Sequence, residues 1–75
     1  MSAPDAELTR HTRAELVRLI IKAVEMTLAG SMPPAIGPRV NRLALAAQIC
    51  FHHGELSRTR GYIRELRLLL RCSRQ

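Results

Sequence analysis

Aromatic residues are almost missing from this 75-residue chain, which has one tyrosine, one phenylalanine and no tryptophan. That removes the stacking platforms on which single-strand nucleic-acid binders lay their bases. Cysteine is nearly as scarce. Cys50 and Cys72 are too few for a disulfide framework, and the stretch from Met1 to Arg13 is polar, without the apolar segment of a secretory signal. A cytoplasmic protein with reduced thiols is expected. Long apolar runs are lacking too. The charge-free apolar segment Leu43 to Phe51 falls far short of the ~20 apolar residues that span a bilayer, so no membrane association is expected. There is no glycine-rich phosphate loop and no Ser-His-Asp pattern. The six carboxylates each lie near an arginine or a helix start, where solvated surface pairing accounts for them. Neither catalysis nor a cofactor is expected.

What is present is arginine. The chain carries eleven arginines, one lysine and six acids, for a net charge of +6. Such a balance suits nucleic acid, anionic lipid or an acidic protein surface. Arginine over lysine, with abundant alanine and leucine, is also what GC-rich coding produces, so the placement of the charges carries more weight than their number.

The chain divides at its glycines and prolines. Residues 1–11 read as a flexible lead-in, and residues 12–75 as a single helical domain with helices at about 12–29, 38–53 and 56–72. Thr12-Arg13-Ala14-Glu15 has the spacing of a capping box before an apolar run, and Gly30 with Pro33-Pro34 ends the helix that follows. On that first helix Glu15, Arg18, Lys22 and Glu25 share one face. The remaining positions are apolar over more than half the circumference, beyond the ~100° stripe that one neighbour requires. The surplus is expected either to wedge between two helices of the same chain or to form a homodimer interface. Val17, Ile21, Val24 and Leu28 are the dimer candidates, with Gly61 on the third helix permitting close approach. Pro38 suits the start of the second helix. Arg39, Asn41 and Arg42 fill its first turns, and the charge-free segment after them is expected to be the central, most buried element. His52, His53 and Gly54 end it. His52-His53 beside Cys50 raises the possibility of a metal site. Neighbouring helical residues point ~100° apart, however, and no second ligand pair with zinc spacing follows, so helix capping is the expectation and no metal is assigned.

On the third helix, Thr59, Tyr62, Ile63, Leu66, Leu69 and Leu70 form the expected buried side. Arg60, Arg64, Arg67, Arg71 and Arg74 recur at spacings of four, three, four and three, in a narrow arc expected to lie opposite. At 1.5 Å per residue the stripe is ~21 Å long.

From Leu43 to Leu70 the chain resembles a single tetratricopeptide-type helical hairpin. Leu43, Ala46, Ala47 and Cys50 match on the first helix, Gly54 at the turn, and Thr59, Ile63 and Leu66 on the second, with threonine at Thr59 where the family prefers alanine. The resemblance implies a protein-binding hairpin that must bury its free face against the first helix or a second subunit. In size and build the chain is similar to small helical regulators of phages and plasmids, such as anti-activators of transcription factors.

The expected fold is therefore all-α, with three helices, the last two an antiparallel hairpin, in a homodimer. The expected function is a small non-catalytic adaptor or inhibitor that binds the acidic surface of another protein, a transcription factor or other regulator. Arg60, Arg64, Arg67 and Arg71 would engage it by pairing with carboxylates, and Tyr62, Leu68 and Met32 would supply apolar contacts. The alternative is a basic helical DNA- or RNA-binding protein. Two helices around His53-Gly54-Glu55 have the outline of a helix-turn-helix, but Glu55 stands where an apolar residue should pack. Arginines alone contact phosphates without reading bases.

Overall fold

The computed structural model describes the backbone of residues 3–72 and the side chains of residues 6–71. Three α-helices follow one another: α1 (Ala3–Leu28), α2 (Gly37–His52) and α3 (Leu56–Cys72). No strand occurs among the described residues. The molecule is elongated, 45 × 18 × 15 Å, because α1 with its 26 residues is alone ~39 Å long.

Helix α1 begins at Ala3 rather than at Thr12, so residues 3–11, expected as a loose lead-in, are helical. The reason lies in the apolar stripe. Leu8 and Thr12 continue upstream the row formed by Leu16, Leu19, Ala23 and Met26, at helical spacings of four and three. Thr12 is consequently an interior residue and not a cap. It is buried, and its hydroxyl has no hydrogen-bond partner. Pro4 falls in the first turn, where its missing N–H costs nothing.

Glycine closes both α1 and α2 by the same device. Gly30 and Gly54 have φ of +74° and +79°. The Ser31 N–H donates to the Met26 carbonyl at 2.9 Å and the Gly30 N–H to that of Thr27 at 3.1 Å. At the second turn the Glu55 N–H donates to Cys50 at 2.9 Å and the Gly54 N–H to Phe51 at 3.0 Å. These are the paired 6→1 and 5→2 bonds of a Schellman motif, which need a left-handed residue at the turn. Helix α2 has no side-chain cap. Instead, the carbonyl of Pro33 accepts from the N–H groups of Ile36 and Gly37, and that of Ile36 from Val40, which winds the loop into the helix. At the start of α3 the Glu55 carbonyl accepts from both the N–H and the hydroxyl of Thr59, satisfying a fully buried threonine.

The core is small. Ala23, Val40, Leu66 and Leu70 form one buried group, bordered by Leu43, Ala44 and Leu69, and Leu16, Ala47 and Ile63 form a second, bordered by Phe51 and Tyr62. The largest interface is between α2 and α3, and α1 rests more on α3 than on α2. The opening left between α1 and α2 explains a departure from the sequence reading. Helix α2 is not buried all round, because Leu45 and Ile49 are at least half-exposed on the side no third helix reaches.

Candidate partner-binding surfaces

The arginine stripe of α3 lies beside the buried side rather than opposite it. At ~100° per residue its centre is about a quarter-turn from Ile63 and Leu70, and the helix on that flank is α1. Arg67 reaches across to it and forms an ion pair with Glu15. Arg60, Arg64 and Arg71 are exposed and have no carboxylate partner among the described residues. Arg74, the last of the stripe, lies outside the described residues, as does the side chain of Cys72.

Leu68 is 53% exposed and links two shallow depressions on the outer surface of α3. The first, of about 600 Å³, is lined by Arg58, Gly61, Tyr62, Arg64, Glu65 and Leu68. The second, of about 280 Å³, is lined by Arg39, Leu43, Glu65, Leu68 and Leu69. Three of the expected partner-binding residues, Tyr62, Arg64 and Leu68, thus come together. Arg60, Arg67 and Arg71 line neither depression, and Met32 packs against the core group of Val40 and Leu70. Two cations escaped the sequence reading. Arg58 sits one turn before Tyr62, where it pairs with Glu55 at 3.5 Å, and Arg39 comes from α2. Only the fold brings Arg39 to this surface, although the four-residue spacing of Arg58 and Tyr62 could have suggested the former.

A second surface is apolar. Val17, Ile21 and Val24 are about half-exposed and Leu28 is 82% exposed along one row of α1. Across the opening, Leu45 and Ile49 stand on α2. A groove of about 510 Å³ runs between the helices, lined by Val24, Leu28, Ala44 and Leu45 with Asn41 and Gln48. A smaller depression of about 370 Å³ continues it past Ile49 to His52 and His53. Gly61, grouped with this face in the sequence reading, lies instead in the arginine-lined depression of α3. Leu45 and Ile49 were missed because a charge-free helix reads as buried on every side. Their spacing of four marks a single row, but nothing in the sequence said that row would go uncovered.

The rings of His52 and His53 meet edge to face, 6.0 Å apart at 79°. Among the described residues no three His, Cys, Asp or Glu side chains gather as a metal-ligand set, and no helix is long and apolar enough to cross a membrane. No protein-family model matches the chain, and no curated protein and no solved structure matches it.

Proposed function

We propose that this chain is a small non-catalytic adaptor or inhibitor, cytoplasmic and homodimeric, that binds an acidic surface of another protein through α3 and changes that protein's activity by occupancy. A transcriptional regulator, met in the manner of an anti-activator, is the class of partner it suits. The observation that carries this reading is the exposed Leu68 set among Arg39, Arg58 and Arg64. An apolar anchor within a polar, arginine-rich surround is the anatomy of a protein interface. Guanidinium groups pair bidentately with carboxylates, and Arg60 and Arg71 extend the positive field along the helix. The three-residue link His53–Glu55 and the large shared interface favour an antiparallel α2–α3 hairpin as the platform. The apolar face on α1 and α2 favours the dimer.

Nucleic acid is the competing ligand for the same arginines. The Arg67–Glu15 pair speaks against it, since it withdraws the middle cation of the stripe from any phosphate track.

Two probes separate the readings. One is a helical peptide with glutamate and leucine on a single face; the other is random-sequence duplex DNA at ~50 and ~200 mM salt. The peptide is expected to bind, with Arg64→Ala and Leu68→Ala each weakening it about tenfold, which is ~1.4 kcal/mol. Duplex binding that falls steeply with salt, without peptide binding, would overturn the proposal.

A further inference from the structure

We infer that the apolar face of α1 and α2 is covered by a second copy of this chain, with the two α1 helices antiparallel about a twofold axis passing between Ile21 and Val24. The inference rests on the homodimer in the reading above and adds its seam and orientation.

The chain exposes more surface than a folded monomer of its mass. A folded monomer of 8.4 kDa is expected to expose about 4,600 Å². This chain exposes 5547 Å², and the surplus of roughly 900 Å² compares with the ~800 Å² that each partner contributes to a stable interface. Residues 6–11 of α1, exposed apart from Leu8, account for part of it. The six exposed aliphatic side chains from Val17 to Ile49 add an apolar patch on the order of 300–400 Å². That is already as large as the biggest apolar patch of an ordinary monomer.

Val17, Ile21, Val24 and Leu28 follow one another at four, three and four residues, the repeat of a seam between two packed helices. Antiparallel pairing about the stated axis sets Ile21 opposite Val24 of the second copy, and Val17 opposite its Leu28.

Charge fixes the orientation. Arg18 and Glu25 flank the seam on the side away from α2, while Arg13, Ile20 and Thr27 flank it on the side toward α2. For antiparallel helices the twofold axis is perpendicular to the plane containing both, so each flank meets its own counterpart. Arg18 then faces Glu25 of the second copy, and the pair occurs twice. Parallel helices would cross the flanks. They would set Arg18 against Arg13 of the second copy and Glu25 against its Ile20. Like charges brought together and a carboxylate laid on an aliphatic side chain both disfavour that arrangement.

The test uses the full chain with Cys50→Ala and Cys72→Ala, its helical content checked by circular dichroism. Sedimentation velocity over a dilution series is expected to show a dimer. Arg18→Glu is expected to weaken it about tenfold and Arg18→Glu with Glu25→Arg to restore it, because the double exchange rebuilds both pairs. When chains bearing Val17→Cys and Leu28→Cys are mixed and oxidised, a disulfide is expected between the two kinds of chain and not between like chains. A dimer in which Val17→Cys chains link to each other, or in which neither link forms, would overturn the antiparallel seam and leave the homodimer standing. A monomer at all concentrations would overturn both.

Discussion

Arg67 of α3 and Glu15 of α1 form an ion pair that joins the two helices along the arginine stripe. The contact does two things at once. It clamps α1, the helix least enclosed by the others, and it occupies the middle cation of the stripe. Both side chains keep contact with solvent, at 47% for Arg67 and 26% for Glu15, so the clamp is worth no more than about 1 kcal/mol.

Removing Glu15 should therefore separate the two roles. Glu15→Gln is expected to lower stability by about 0.5–1 kcal/mol and to tighten binding of an acidic peptide, because Arg67 is released. Chemical denaturation and a peptide titration read the two effects. Weaker binding on loss of Glu15 would mean that the clamp shapes the surface rather than competing with it.

Thr12 gives a prediction of the opposite sign for stability. Its hydroxyl is buried without a partner, and a buried polar group left unpaired costs about 1–3 kcal/mol. Thr12→Val keeps the β-branched shape and removes the hydroxyl. An increase in stability of about 1 kcal/mol is expected, read as a rise of roughly 4–8 °C in melting temperature for a chain of this size.

Two glycines should respond in contrary ways to the same change. Gly54 has φ of +79°, so Gly54→Ala strains the turn between α2 and α3 and is expected to cost about 1 kcal/mol. Gly61 lies inside α3, where an added methyl meets open space. Gly61→Ala is expected to stabilise the chain by about 0.5–1 kcal/mol and to leave the proposed dimer unchanged, because Gly61 lines the α3 depression and not the apolar face of α1 and α2. Thermal melts and sedimentation of the two variants check this.

The legible part of the fold was its punctuation. Gly30, Pro33-Pro34 and Gly54 announce three helices, because left-handed turns and a missing N–H leave the chain few other courses. The start of α1 was not legible in the same way. Thr12-Arg13-Ala14-Glu15 has the spacing of a cap, and only packing reveals that Thr12 is an interior residue whose row continues to Leu8. The arginine stripe could be read as a stripe, but its neighbour could not. Whether Arg67 faces water or Glu15 depends on which side α1 takes, a tertiary choice that periodicity does not encode. Leu45 and Ile49 illustrate the same limit, since an apolar helix in a chain of three has more surface than its two companions can cover.

In the proposed assembly one face of the protein meets an acidic partner while another meets a second copy. One measurement addresses both: sedimentation velocity of the chain with a fluorescent Glu/Leu peptide. The expected result is a dimer that carries one peptide per chain, loses the peptide with Arg64→Ala and Leu68→Ala together, and keeps its dimeric mass. Loss of the peptide with Val24→Asp but not with the α3 pair would contradict the account, as it would place the partner in the α1–α2 groove.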